Sequence, residues 1–345
     1  MRRPSPPLDA TRALDASRDR LAGQETTMKH LQIERSGRVL TVSFDNPPLN
    51  FLTMAMMREF KRTLDDIARD AGIGAVVVTS ARPGVFLTHF DVGEIKAIAQ
   101  GLSIAVPPAV TGAMMRIESA CSRVPGVRRL IERTPLAGVA QMNLFHEVTA
   151  RMRAMDKVFI AAVNGRAMGG GCEIALACDL RLMADGSVDG GQILAQPEIF
   201  IGLLPGGGGT QMLARSVGIA RALELCLDGR LLSPREAFEL GLVNRVVPGE
   251  RLRDETTALA ERLARRASHS VRAIKRAIYD GASLPFRDGM AVEKAGFLSA
   301  ATQGRTRHAM AAYADHVSSL IEDGEDISVD QLRTWIDGVA VDFSR

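Results

Sequence analysis

The stretch Lys157-Val-Phe-Ile-Ala-Ala-Val163, Asn164-Gly165-Arg166-Ala167-Met168, Gly169-Gly170-Gly171-Cys172-Glu173 decides the architecture. Residues 158–163 are six consecutive apolar side chains, and a short apolar run bounded by turn residues reads as a strand buried on both faces. Asn164-Gly165 ends that strand, and the three glycines open a helix read over Cys172 to Cys178. A doubly buried strand feeding a helix is an α/β unit. Three glycines in a row also reach φ values closed to other residues and let a ligand approach backbone N–H groups, where the helix adds the positive end of its dipole. The turn therefore reads either as an anion or oxyanion site or as close packing alone. Glu173 follows Gly170 by three residues, about one helical turn, and so either stands beside whatever that N–H holds or caps the helix.

Outward from this unit the pattern repeats. LQIER and VLTVSF, between Leu31 and Phe44, flank the turn signal Ser36-Gly37 and read as a hairpin. Thr53 is placed to cap a helix with Met56, Met57, Phe60, Leu64 and Ile67 on its apolar side. Ala75 to Thr79 is a second buried strand, closed by Arg82-Pro83-Gly84, and Val85 to Asp91 reads as a turn. The Ala/Met-rich stretch 95–155, cut by four prolines, reads as several short helices, and Leu180 to Met183 as one more strand. After Pro234 helical patterns dominate, at 254–267, 270–280, 288–302 and 305–321, separated by turns at Gly281 and Gly304. The expected organisation is a disordered leader at 1–27, a core at 28–230 with a helical insertion at about 95–155, a C-terminal helical module at 231–322 and an extension at 323–345.

Composition excludes several classes. Of 345 residues, 46% are hydrophobic and 24% charged, which suits a globular chain with a sizeable core. Net charge is +3 with the basic residues spread out, so the footprint of a nucleic-acid-binding surface is missing. No apolar run approaches a membrane span. Cys121, Cys172, Cys178 and Cys226 have no CxxC spacing, which argues for buried thiols in a reducing compartment, here the cytoplasm, and against a zinc knuckle.

A second segment, Gln196-Pro197-Glu198-Ile199-Phe200-Ile201 followed by Gly206-Gly207-Gly208-Gly209, again pairs a carboxylate with glycines. Glu198 sits between a proline and an apolar run, where desolvation favours the protonated carboxyl. Two carboxylates in different environments are what acid/base work on one substrate needs. Neither glycine cluster matches a nucleotide motif, and His146-Glu147 fails as HExxH because position 150 is Ala. His89 alone reads as structural, and Cys172, at a helix start, has no histidine to activate it.

The runs KVFIAAVNGRAMGGGCEIALACDLRLMAD, QPEIFIGLLPGGGGTQMLARSVG and SPREAFELGLVNRVVP resemble, in this order, the crotonase (enoyl-CoA hydratase/isomerase) superfamily over roughly residues 30–320. The resemblance implies an α/β fold in which ββα units wind into a spiral, followed by helices that join subunits into trimers or pairs of trimers. It implies an acyl-coenzyme A thioester as substrate, with no metal and no separate cofactor. On the family's pattern Gly170 and Phe90 take the two oxyanion-hole positions, and Glu173 and Glu198 the two catalytic glutamates of the hydratase type. Leu49, Phe51, Thr88, His89, Asp91, Gly169, Pro197 and Gly206 fall where the substrate lies. The implied reaction is syn addition of water to a 2-enoyl-CoA, or its reverse. A double-bond isomerase, a thioester hydrolase or a non-catalytic acyl-CoA-binding protein is the alternative. This sequence departs from the pattern in Thr88-His89-Phe90-Asp91, where Ala-Gly-x-Asp is usual, in the long 95–155 stretch, in a longer separation of the two glutamates, and in Tyr313-Ala314-Asp315-His316, where a basic cluster is usual.

Overall fold

The computed structural model describes residues 28–100, 106–122, 124, 126–131, 134, 137–322, 324 and 327–343. The expected leader at 1–27 lies outside them. Strands β1 (Leu31–Ser36) and β2 (Val39–Phe44) form the expected hairpin, and Thr53 caps α1 (Met54–Arg69) by accepting from the Met56 N–H. Next come β3 (Ala75–Ser80), β4 (Gly84–Leu87), α2 (Val92–Gln100), α3 (Pro108–Cys121), α4 (Val127–Ile131) and α5 (Ala137–Ala154). They are followed by β5 (Val158–Val163), β6 (Gly165–Met168), α6 (Gly170–Ala177), β7 (Leu180–Ala184), β8 (Leu194–Ala195), a 3-10 turn at Glu198–Ile201, α7 (Gly209–Val217) and α8 (Ile219–Asp228). The chain continues as α9 (Pro234–Glu239), β9 (Arg245–Val247), α10 (Leu252–Ala264), α11 (Ser268–Tyr279), α12 (Phe286–Ala301), α13 (Gly304–Glu322) and α14 (Arg333–Ile336).

Two strand–strand–helix turns, β5-β6-α6 and β7-β8-α7, explain the architecture, and β3-β4 starts a third whose helical part is α2–α5. β2, β3, β5, β7 and β9 run parallel in a sheet ordered β1-β2-β3-β5-β7-β9, while β4, β6 and β8 run parallel in a second, smaller sheet. Parallel neighbours require a crossover between them, so each turn places its first strand in one sheet and its second in the other. Alternation along the strands then fills two cores. Val76, Val78, Phe159 and Ala161 join the main core with Phe44, Phe60 and Phe86, and Ala75, Val77, Ile160 and Leu182 pack beneath α10 with Leu259 and Ala260. Both faces of the strands are covered, which is why they are written as continuous apolar runs.

Several expectations are corrected. Residues 84–87, read as part of a turn, form β4, and the chain beyond Asn164 forms β6 instead of leading straight to the helix. A Cβ at Gly165 would lie 2.0 Å from the Gly84 carbonyl, so glycine is what lets these two short strands meet. The insertion contains an 18-residue helix, α5, as well as short ones. Gly304 starts α13 and is not a turn between helices. Of the four cysteines, Cys172 and Cys178 are buried, but Cys121 is exposed and Cys226 half-buried. Among the described residues no helix is long and apolar enough to cross a membrane.

One buried ion pair ties the C-terminal helices to the strands. Lys275 Nζ on α11 donates to the Met152 and Lys157 carbonyls, both at 2.9 Å, and to Asp179 Oδ2 at 2.8 Å. Asp179 also accepts from the Tyr279 hydroxyl at 2.7 Å and the Phe159 N–H at 2.8 Å. Removing one partner of a buried pair costs more than the pair contributes, because the other charge stays behind unneutralised. Lys275→Met should therefore lower unfolding free energy by about 3–5 kcal/mol in urea titrations. A loss near that of an exposed ion pair, at most about 1 kcal/mol, would show that this contact does not hold the module.

Candidate active site

The site is built where α6 begins. Gly169 has φ 48° and ψ −124°, a conformation that favours glycine, and this turns the chain sharply from β6 so that α6 starts with a bare Gly170 N–H. The second wall is the turn after β4. Leu52 N–H donates to the His89 carbonyl at 2.9 Å, and Asp91 N–H donates to the Leu52 carbonyl at 2.8 Å. In such a parallel bridge the N–H of the residue between, Phe90, points away from Leu52. Among the described residues neither the Gly170 nor the Phe90 N–H finds a backbone acceptor. The two residues are neighbours, since a Cβ on Gly170 would be 3.5 Å from the Phe90 Cβ.

Glu173 is 3% exposed, one turn into α6. Its Oε1 does not cap its own helix but accepts from the Gly207 N–H at 2.6 Å and the Gly209 N–H at 2.8 Å, the latter the first residue of α7. Burial pushes its pKa up to about 7 against the pull of those two donors, and the charge of Glu198 pushes in the same direction. Glu198 enters from the 3-10 turn. A Cβ on Gly169 would sit 3.1 Å from Glu198 Oε1 and 3.3 Å from the His89 Cβ, which places both side chains at the mouth of the same turn. Its pKa is also raised to about 7, again by burial, with one opposing bond from its own N–H. Glu173 is the more deeply buried of the two, Glu198 being half-buried.

The turn at 88–91 supports this arrangement. Thr88 Oγ1 donates to the Leu49 carbonyl, and His89 Nδ1 donates to the Phe90 carbonyl at 2.7 Å. The His89 ring lies against Phe51, with centroids 4.8 Å apart. His89 is not among the residues with positive φ, so the turn accepts its Cβ without that strain; among the described residues Asn50, with φ 52°, is the non-glycine residue that carries such a conformation. Leu49 is an exposed residue at the rim. Asp91 does not face the glutamates through a free carboxylate: Oδ1 accepts from the Glu94 N–H and caps α2. Pro197 precedes the 3-10 turn, and the Gly206 carbonyl accepts from His146 Nε2 at 2.8 Å.

Sequence reasoning did not single out Gln196, the hold of Gly207 and Gly209 on Glu173, or Met142. Gln196, 3% exposed, donates from its amide nitrogen to Glu198 Oε1 at 3.0 Å and Oε2 at 3.2 Å once that amide is oriented to satisfy both its ends. Gly207 and Gly209 hold Glu173 from 34 and 36 residues away, a pairing that no local pattern encodes. From the insertion, α5 sends Phe145 against Gly170 and Gly207, and Met142 against Gly206. Elsewhere in the insertion Ile117 is exposed. Among the described residues no group of three or more His, Cys, Asp or Glu side chains could hold a metal.

Paired strand–strand–helix turns, with glycine-framed N–H groups beside a buried and a half-buried carboxylate, define a class, and comparison with known proteins agrees. The family model for enoyl-CoA hydratase/isomerase matches residues 136–323, more than half of the chain. The short-chain-enoyl-CoA hydratase of Clostridium acetobutylicum is 28% identical over 289 residues, 84% of this chain and 95% of that protein. The probable enoyl-CoA hydratase of Mycobacterium tuberculosis is 31% identical over 290 residues, 84% and 96% of the two chains. A crystal structure of an enoyl-CoA hydratase from Bacillus anthracis superposes with a TM-score of 0.66 at 25% identity, covering 83% of this chain and 96% of the other. The chain belongs to the enoyl-CoA hydratase/isomerase family of the crotonase superfamily.

The Glu173 carboxyl makes stability depend on pH. Its folded pKa of about 7 lies above its ordinary 4.5, so the folded protein binds a proton that the unfolded chain has lost, and stability falls as pH rises from 4.5 through 7. A glutamine keeps an oxygen for the Gly207 and Gly209 N–H groups and removes this dependence. Glu173→Gln should be more stable than the wild type by about 1–3 kcal/mol near pH 8.5, with the advantage vanishing toward pH 5 in denaturant titrations. An increment that does not change with pH would contradict the burial account.

Proposed function

We propose that the protein adds water across the α,β double bond of a 2-enoyl-CoA thioester, or catalyses the reverse dehydration. The observation that carries this reading is the meeting of two carboxylates from different elements, the buried Glu173 and the half-buried Glu198, at a glycine turn where Gly170 lies beside Phe90. The two N–H groups receive the thioester oxygen as it gains enolate charge, a role that depends on donors fixed before the reaction. Glu173 draws a proton from water as its oxygen bonds to Cβ, and Glu198 delivers a proton to Cα on the same face.

Both carboxyls are held by donors, Glu173 by the Gly207 and Gly209 N–H groups and Glu198 by the Gln196 amide and its own N–H, and both sit near pH 7, so the division of labour rests on the family pattern. The reaction so written needs no metal and no cofactor beyond the coenzyme A carried by the substrate. The contacts of Phe145 with Gly170 and Gly207 and of Met142 with Gly206 support a role for the insertion in lining the acyl pocket, and exposed apolar side chains on the C-terminal helices, Phe286, Phe297 and Leu298, support assembly as a trimer or a pair of trimers. The chain would work in the cytoplasm.

The active pair carries one proton, so kcat/KM should peak near pH 7 and fall on both sides, as both carboxyls protonate below and both ionise above. Glu173→Gln and Glu198→Gln should each lower kcat for hydration of crotonyl-CoA by about 10²–10⁴. A profile flat across that range, or two variants that bind substrate and hydrate it normally, would sink the mechanism.

The oxyanion turn is tested separately. Phe90→Pro removes the N–H and should cost about 10²–10³ in kcat, whereas Phe90→Ala keeps the donor and should act mainly on KM. His89→Ala should cost far less than Glu198→Gln, because the imidazole bonds to the Phe90 carbonyl and lies against Phe51. Loss of turnover in folded, substrate-binding His89→Ala would instead put histidine in the chemistry.

A further inference from the structure

Away from the glutamates, a cavity of about 420 Å³ opens between α5, α7 and α11. Arg153, Arg215, Arg272, Lys275 and Arg276 line it beside Tyr279, against a single lining carboxylate, Asp280. Three of these cations are matched. Lys275 is neutralised by Asp179, Arg272 lies 3.6 Å from Asp156, and Arg276 lies 3.9 Å from Asp280. Arg153 and Arg215 have no carboxylate within ion-pair distance among the described residues.

Both are nevertheless held in place. The Arg153 guanidinium lies 3.9 Å from the centre of the Tyr279 ring, half-buried, and burial lowers its pKa with the Arg215 charge adding to the effect. Arg215 donates through Nε to Ser283 Oγ at 3.0 Å, and through Nη1 to the Gln211 carbonyl at 3.0 Å and Gln211 Oε1 at 3.1 Å. Those bonds leave Nη2 for another acceptor. Two neighbouring guanidinium groups repel each other until a group of opposite charge arrives, and each presents a planar fork of donors.

We propose that this cavity is a binding site for a phosphoryl-bearing anion, held between Arg153 and Arg215. A phosphoryl group matches the two unpaired cations in charge, and its several oxygens accept from forks that approach from different sides. The cavity is large enough for a diphosphate or a nucleotide rather than one phosphate alone. The site is distinct from the glutamates. Arg215 lies in the last turn of α7, about 9 Å of helix from Gly209, whose N–H faces Glu173. Binding is therefore readable without any assay of turnover, and this proposal stands apart from the hydratase reading.

The test is calorimetric titration of the full chain with pyrophosphate and, separately, with ADP, on the wild type and on Arg153→Gln/Arg215→Gln. Saturable binding that weakens with salt and falls at least about tenfold in the double variant is expected. Tighter binding of ADP would assign the anion to a nucleotide, equal affinity to a free phosphate compound, and either order supports the site. Should the double variant fail to fold, Arg215→Gln alone alters an exposed side chain and should still weaken binding several-fold. Absence of saturable binding by both ligands, or binding that the substitutions leave unchanged, would overturn the proposal.

Discussion

The structure depends on one buried carboxylate. Glu173 leaves the first turn of α6 and is held by N–H groups at the start of α7, so the β5-β6-α6 and β7-β8-α7 turns meet at a carboxyl group with almost no access to water. Such a group is expensive to bury and is tolerated when donors surround its oxygens. The glycines around it follow from that constraint. Residues 206–209 bring N–H groups to the carboxylate, and a Cβ at Gly207 would lie 2.3 Å from Glu173 Oε2 and 2.2 Å from the Phe145 ring. Desolvation and donors pull its pKa in opposite directions and leave it near neutrality, where a carboxyl can exchange protons with a substrate.

Around this point the fold separates support from chemistry. The doubly covered sheet and the Lys275–Asp179 pair fix the strands and the C-terminal helices, while the short sheet β4-β6-β8 carries the loops that frame the site. Those strands are only two to four residues long, so their ends lie close together. Leu52, pairing with Phe90, extends the same edge from the first turn of the chain. Precision at the Phe90 N–H is thereby set by backbone bonds and not by the side chain, which makes a histidine beside it compatible with the turn.

How much of this was legible in the sequence varies with the range of the contacts. β3, β5 and β7 announce themselves because both faces are buried, and the Thr53 cap and the C-terminal helices are local patterns. β4, β6 and β8 do not, because a strand of two to four residues owes its existence to partners distant in sequence, as in the pairing of Gly84 with Gly165. Glu173 and Glu198 stood out beside their glycine clusters, but the hold of Gly207 and Gly209 on Glu173 did not. Lys275 reads as an ordinary polar residue of an amphipathic helix, and only its distant partner Asp179 explains its burial. The role proposed for Phe90 came from family resemblance, since a backbone donor leaves no mark in the identity of its side chain.

The central claim is that this pair of glutamates and two N–H groups directs water to carbon and not to the thioester. Its most direct test is incubation of crotonyl-CoA with the protein in oxygen-18-labelled water, with intact-product mass spectrometry that locates the label. The account predicts a coenzyme A thioester that has gained one water, with the heavy oxygen on C3. Heavy oxygen in a free carboxylate with release of coenzyme A, or a product of unchanged mass with its double bond moved, would contradict it.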